Sequence, residues 1–253
     1  MEFTFLGTGT SQGVPIIACQ CAVCQSTDSK DKRLRTAGMI QSASTTIVID
    51  TGPDFRQQML REKVQKLDAV VFTHQHKDHV AGLDDVRAFN YLQNRDMPLY
   101  ANEETIERLK EEFSYAFSAD EYPGVPKLRI NQIEEAPFQI GDIDLQPIPV
   151  WHKDMKVLGF RIGSFAYITD AKTIAEDQKA KLKNLDVLVL NALQQKEHIS
   201  HLTLEEALTL VEELQPKTAY FTHISHYLGL HKEVQEILPD NVFLAYDGLT
   251  LNT

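Results

Sequence analysis

The segment Val70-Val71-Phe72-Thr73-His74-Gln75-His76-Lys77-Asp78-His79 runs from an apolar stretch directly into four side chains that can ligate a metal. In extended backbone, alternate side chains point the same way, so His74 and His76 can converge on one cation. Asp78 and His79 lie past the bend and are available to a second. Neutral imidazole and carboxylate suit divalent zinc, manganese or iron. Incidental surface histidines in a polar loop are the bland account. Four ligand-type residues within six positions, directly after an apolar run, favour a metal site over that account.

A second constellation is Cys19-Gln20-Cys21-Ala22-Val23-Cys24, which contains all three cysteines of the chain. An odd, tightly spaced set in a chain this long is a poor disulfide framework and suits a metal cluster. Three thiolates leave a tetrahedral zinc one ligand short, and His226 in His223-Ile224-Ser225-His226 offers the fourth. Inert buried thiols are the alternative. The remaining features are read more plainly. Leu6-Gly7-Thr8-Gly9-Thr10-Ser11-Gln12-Gly13-Val14-Pro15 is a Gly-rich turn without the Gly-Lys-Ser/Thr ending of a phosphate-binding P-loop. Lys30, Lys32, Arg33 and Arg35 read as a solvated basic loop, and His198 and His231 as ordinary loop histidines.

These residues need elements to hold them. Short β-branched or aromatic runs bounded by Gly, Asp, Asn or Pro predict strands at 3–6, 46–50, 69–73, 98–101, 143–150, 160–162, 166–169, 187–191, 218–222 and 242–246. A hairpin is expected across Gly163-Ser164-Phe165. Helices are predicted at 54–62, 83–92, 103–113, 203–214 and 232–238. The best defined has Thr203 and Glu206 as a capping box, Leu204, Ala207, Leu208, Val211 and Leu214 on one face, and Pro216 as its stop. Strands interleaved with helices, with no repeat or linker between them, imply one layered α/β domain with mixed sheets.

His-x-His-x-Asp-His after an apolar strand resembles the hallmark of the metallo-β-lactamase superfamily. Further landmarks follow in that family's order. They are Ile49-Asp50-Thr51-Gly52, His152 after Pro149-Val150-Trp151, Asp170 closing Tyr167-Ile168-Thr169-Asp170, and His223 closing Tyr220-Phe221-Thr222-His223. The resemblance implies a four-layer αββα sandwich over residues 1–253, with a dinuclear metal centre at one edge of the sheets. His74, His76 and His152 would hold one metal, Asp78, His79 and His223 the other, and Asp170 would bridge them, with Asp50 orienting a ligand. Two metals about 3.5–4 Å apart activate a bridging hydroxide and polarise the group it attacks, which points to hydrolysis.

The Gly-rich opening and the cysteines with His226 are similar to the phosphoribosyl cyclic phosphodiesterase branch of that superfamily, where the cysteine site is a structural zinc. In such enzymes a histidine just before a helix contacts the substrate phosphate and can protonate the leaving oxygen. His201, preceding the helix capped by Thr203, is the match, and Asp78 is counted with it among the catalytic residues. A helix N-terminus favours an anion nearby and is expected to hold the pKa of His201 down. The function expected is a metal-dependent phosphodiesterase of a small cyclic or ribosyl phosphodiester, using two zinc or manganese ions. The alternatives are tRNase Z-like RNA processing, thioester or lactone hydrolysis, and a non-catalytic relative similar to pyrroloquinoline-quinone biosynthesis proteins.

Composition narrows these. Of 253 residues, 36 are acidic and 25 basic, for a net charge of −11. Phosphate neutralisation along a polynucleotide needs clustered Lys and Arg, so stable nucleic-acid binding is not expected. No apolar stretch approaches the roughly 18 residues of a membrane helix, and the acidic start Met1-Glu2-Phe3-Thr4 is unlike a signal peptide. A cytoplasmic protein without membrane contact is the expectation, and a homodimer is the association the resemblance implies. Residues 102–126, with Tyr115, Phe117 and Tyr122, are expected either to cover the active site or to form a packed insertion.

Overall fold

The computed structural model describes residues 1–118 and 124–253. The first sheet is built from β1 (Glu2–Gly7), β2 (Ala37–Gln41), β3 (Thr46–Ile49), β4 (Ala69–Val71), β5 (Met97–Ala101) and β6 (Leu128–Gln132). The second contains β7 (Phe138–Ile140), β8 (Ile143–His152), β9 (Met155–Ile162), β10 (Phe165–Tyr167), β11 (Val187–Asn191), β12 (Thr218–Thr222) and β13 (Val242–Leu244). β14 (Thr250–Asn252) returns to the first sheet beside β1. The spatial orders are β14-β1-β2-β3-β4-β5-β6 and β13-β12-β11-β10-β9-β8-β7. β3 through β6 run parallel, as do β10 through β13, and the other pairings are antiparallel.

Side-chain alternation explains the layering. Ile47 and Ile49 of β3 enter the core between the sheets, whereas Val48 faces outward into a second core. On β11, Val189 points between the sheets, and Leu188 and Leu190 point outward. Strands apolar on both faces must be covered on both. The outer face of the first sheet is covered by α2 (Phe55–Arg61), α4 (Arg87–Gln93) and α5 (Glu103–Glu112). That of the second receives α7 (Leu204–Leu214) and α8 (His231–Glu236). The described residues also form the short α-helices α1 (Ala22–Gln25), α3 (Lys77–Val80) and α6 (Glu176–Ala180). The result is the αββα sandwich.

Local chemistry fixes the elements that matter to the site. Thr203 Oγ1 accepts from the Glu206 amide at 3.2 Å while the Glu206 carboxylate accepts from the Thr203 amide at 2.9 Å, so α7 begins on the expected capping box. The β9–β10 hairpin turns on Gly163-Ser164 alone. Phe165, expected in the turn, pairs with Ile162 and is buried between the sheets. Within 102–126, Asn102 caps α5, and Ile106, Leu109 and Phe113 are buried against the first sheet. Tyr115 Oη donates to Asp84 at 2.5 Å, and Lys77 Nζ reaches Glu112 at 2.7 Å. α5 is therefore packed on the first sheet, whereas Tyr115 beyond it is exposed. Residues 119–123, including Tyr122, lie outside the described residues. Among the described residues, no helix is long and apolar enough to cross a membrane.

Candidate metal centre

The site forms where the two sheets end together. Asp50 follows β3, His74 lies three residues past β4, His152 ends β8, Asp170 lies three residues past β10, and His223 follows β12. Asp50, Asp170 and His223 have φ of 67°, 58° and 54°, in the left-handed region that side chains with a Cβ adopt at a cost of about 1–3 kcal/mol. Each departs from the extended path at the point where its side chain joins the cluster. Strain of this kind, repeated at three strand ends, marks the edge as a place where position outweighs local comfort. Gly52 serves the same turn, since a Cβ there would lie 2.1 Å from the Asp78 carbonyl oxygen.

Buried hydrogen bonds set the orientation of the imidazoles. Asp50 is fully buried and accepts from the Thr73 amide and hydroxyl, each at 2.8 Å. It also accepts from His79 Nδ1 at 2.6 Å. Because the Thr73 proton goes to Asp50, Thr73 Oγ1 accepts from His74 Nδ1 at 2.9 Å. His152 Nδ1 donates to the Asp170 carbonyl at 3.1 Å. With Nδ1 as the donor in His74, His79 and His152, the Nε2 lone pair of each is left for a cation. Among the described residues, His74 Nε2, His79 Nε2, His223 Nδ1 and His201 Nδ1 are buried without a hydrogen-bond partner. Orphaned buried nitrogens are costly unless something else meets them.

The remaining distances define the cluster. Asp170 Oδ2 lies 3.3 Å from His223 Nδ1 and 3.4 Å from His79 Nε2, and its Oδ1 is 3.8 Å from His201 Nδ1. Asp78 Oδ2 is 3.3 Å from His79 Nε2. Donor atoms of Asp78, His79 and His223 all lie within 4.8 Å of one another, as do those of His74, His79 and Asp170, and those of His152, Asp170 and His201. His76 belongs to none of these tight groups, but its ring stands 4.6 Å from His74 and 5.1 Å from His152. The structure thus brings together all seven residues expected around two metals.

Electrostatics follow from the crowding. Burial first, then the charge on His79, pushes His74 well below its ordinary range. Burial disfavours charge on His79 too, yet Asp78, Asp170 and Asp50 outweigh it and hold its pKa well up. Burial likewise disfavours the Asp170 carboxylate, but the imidazoles of His223, His79 and His74 keep it ionised far below the usual carboxylate range. Two carboxylates and five imidazoles concentrated in this way suit divalent cations, which they would hold. His201 is held down to about 2, chiefly by burial. Asp170 opposes that lowering, and the imidazoles of His223, His152 and His198 add to it. His198 lies beside it, with ring centroids 5.1 Å apart.

Cys19, Cys21 and Cys24 are free thiols gathered around His226. Their sulfurs stand 3.4, 3.3 and 3.5 Å from His226 Nδ1. A tetrahedral zinc with ordinary Zn–S and Zn–N bonds sets that edge at about 3.5 Å, so the donor set fits zinc closely. The Cys24 amide, donating to Cys21 Sγ, leads the lowering of that thiol to about 6, whereas burial raises Cys24 to about 11.

Two plain readings of the sequence are corrected here. Arg33 is not part of a solvated loop. Its side chain is buried and donates to Thr8 Oγ1 at 2.9 Å, the Ala245 carbonyl at 2.6 Å and His231 Nδ1 at 3.1 Å. His231, read as a loop histidine, is the buried acceptor of that bond and opens α8. Thr8 in turn donates to Asp247 at 2.7 Å and Leu34 N–H to the same carboxylate at 2.7 Å, so burial is compensated by a closed network. Arg35 is tied to Asp54 at 3.0 Å and Lys32 to the Cys24 carbonyl at 3.2 Å. Thr73, Thr169, whose hydroxyl donates to Asp170 Oδ2 at 2.6 Å, and Asn191 are not singled out in the sequence. The first two had a signal, since each is a hydroxyl residue directly before a candidate ligand.

Comparison with known proteins agrees with this geometry. Residues 45–224 match the Beta-lactamase superfamily domain. A crystal structure of a diphosphatase from the PhnP family superposes with a TM-score of 0.94 at 42% identity, covering 100% of this chain and 97% of that one. Zn(2+)-bound PqqB from Methylobacterium extorquens shares the fold, with a TM-score of 0.81 at 19% identity and full coverage of both chains. An octanoyltransferase from Porphyromonas gingivalis is 40% identical over 252 residues, which are 98% of this chain and 51% of that protein. The chain spans about half the length of the curated relatives it matches. A matched domain over most of the chain, and a near-complete superposition at 42% identity, place this protein in the metallo-β-lactamase superfamily, within its PhnP family.

Proposed function

We propose that the protein is a metal-dependent hydrolase of small phosphoric diesters, cyclic, ribosyl or diphosphate-linked. The observation that carries this reading is the unpaired, buried His201 Nδ1 at 3.8 Å from Asp170 Oδ1, beside seven convergent histidine and aspartate ligands. When bound, two divalent cations supply Lewis acidity and lower the pKa of a water toward neutrality. In this assignment His74, His76 and His152 hold one cation, Asp78, His79 and His223 the other, and Asp170 both. Cys19, Cys21, Cys24 and His226 hold a structural zinc.

The chain's own residues supply the rest. Asp50 and Thr73 hold the tautomers of His79 and His74. His201 is neutral when the site holds no anion. A phosphoryl group beside it favours its protonated form, from which it can donate to a departing alkoxide oxygen. A diphosphatase among the PhnP-family relatives supports attack at phosphorus. An acidic chain of net charge −11 with its basic side chains engaged in ion pairs and hydrogen bonds at Arg33, Arg35 and Lys32 offers little to a long polyanion, which weighs against tRNase Z-like processing.

The test is hydrolysis of an aryl phosphodiester and a nucleoside-diphosphate diester, set beside an aryl phosphomonoester, an octanoyl thioester and a lactone, in manganese and in zinc. The reading expects turnover of the diesters in at least one metal. The thioester arm addresses the octanoyltransferase relative, of which only about half matches this chain. Activity confined to the thioester or lactone overturns the assignment.

A further inference from the structure

We infer that Asn191 is a further positioning residue of the metal centre, acting through the peptide between Asp170 and Ala171. The inference rests on the dinuclear reading above. Asn191 is the last residue of β11 and is fully buried. The parallel ladder between β10 and β11 runs from Phe165↔Val187 to Tyr167↔Val189 and ends there. Beyond it the Asn191 side chain takes the place of a strand. Its Oδ1 accepts from the Ala171 amide at 2.7 Å and its Nδ2 donates to the Ala171 carbonyl at 3.0 Å. Only one orientation of the carboxamide satisfies both bonds.

That clamp reaches the centre along three routes. The amide it holds belongs to the same peptide as the Asp170 carbonyl, which accepts from His152 Nδ1. Fixing that peptide plane therefore fixes the tautomer and direction of His152. It also fixes the left-handed turn at Asp170, where φ is 58° and the carboxylate is set against His79 and His223. The Ala171 carbonyl accepts in addition from the Leu202 amide at 2.9 Å, which anchors the residue next to His201. One side chain thus sets the Asp170 carboxylate, the His152 imidazole and the segment carrying the candidate acid. A carboxamide is suited to this because it presents a donor and an acceptor in peptide geometry. An aspartate would keep the acceptor and turn the donor position into a repulsion with the Ala171 carbonyl. A leucine would keep the volume and lose both bonds.

The experiment compares wild type, Asn191→Leu and Asn191→Asp for metal content after dialysis, for affinity by chelator competition, and for the His152 Nδ1–H signal by NMR. Asn191→Leu is expected to keep its structural zinc and its fold while binding the two centre metals about 10–100-fold more weakly, as loss of an orienting partner does. It should also lose the protected His152 Nδ1–H. Asn191→Asp, which keeps one bond but sets a buried carboxylate oxygen against the Ala171 carbonyl, is expected to lose at least as much affinity. Wild-type affinity with an unchanged His152 signal in Asn191→Leu overturns the inference. Loss of all three metals together with the fold in both variants also overturns it, by reducing Asn191 to a packing residue. A wild-type protein binding only one metal is a different outcome, because it removes the dinuclear reading itself.

Discussion

At the scale of single residues, the site is a set of protons placed in advance. Asp50 takes one from His79 and, through Thr73, one from His74, and the Asp170 carbonyl takes one from His152. What remains is a group of lone pairs facing one volume. His201 Nδ1 is buried without a hydrogen-bond partner, as are His74 Nε2, His79 Nε2 and His223 Nδ1, and burial pushes the pKa of His201 down to about 2. It is available to an incoming anion. His201→Ala is expected to lower kcat on a phosphodiester with a poor leaving group by about 10²–10⁴, the range for a positioned general acid, with metal content unchanged. Full activity in that variant contradicts the acid role. The glycine at position 52 and the left-handed turns at Asp50, Asp170 and His223 are local costs accepted to bring these groups together.

At the scale of elements, several strands that carry site residues were legible because they are largely buried and run into polar residues. β3, β4, β11 and β12 read this way, as did α7 from its capping box. The strands that escaped are polar or interrupted. β6 carries Arg129, Asn131 and Gln132 at a sheet edge, β2 contains Gly38, and β14 is three residues long. His152, Asp170 and His223 followed only from the family resemblance, whereas the candidate ligands at His74, His76, Asp78 and His79 were legible from residue type and spacing. The Asn191 clamp was not, because nothing local distinguishes an asparagine ending a strand from a turn residue. Nor was the Arg33–His231 pair, whose members are 198 positions apart. That pair makes a prediction of its own. Burial first, and then the Arg33 charge, hold His231 down to about 4, against about 6.5 in an unfolded chain. Between these values the unfolded chain binds the extra proton, so the contribution is complete above about pH 6.5 and is lost as pH falls toward 4. It amounts to roughly 2–3 kcal/mol. The drop in unfolding free energy from pH 7 to pH 4.5 should be smaller in His231→Gln than in wild type by about that amount, measured by urea denaturation. Equal drops contradict the account.

At the scale of the whole molecule, two sheets buried against each other leave one edge where the carboxyl ends of parallel strands from both meet, the usual place for a ligand in such sheets. The chain as a whole carries a net charge of −11, and cations bound in the cluster would supply the positive charge that attracts a phosphodiester. The zinc-type cluster at Cys19, Cys21, Cys24 and His226 lies three residues beyond His223 and ties the N-terminal loop to the strand end that carries that ligand. The central claim is therefore one of metal stoichiometry. Elemental analysis of the purified chain, before and after reconstitution with manganese and dialysis, measures it directly. The account predicts three metal ions per chain, of which one is a zinc that survives dialysis. A single zinc per chain, with no further metal taken up on reconstitution, would contradict it and leave a binding module in place of an enzyme.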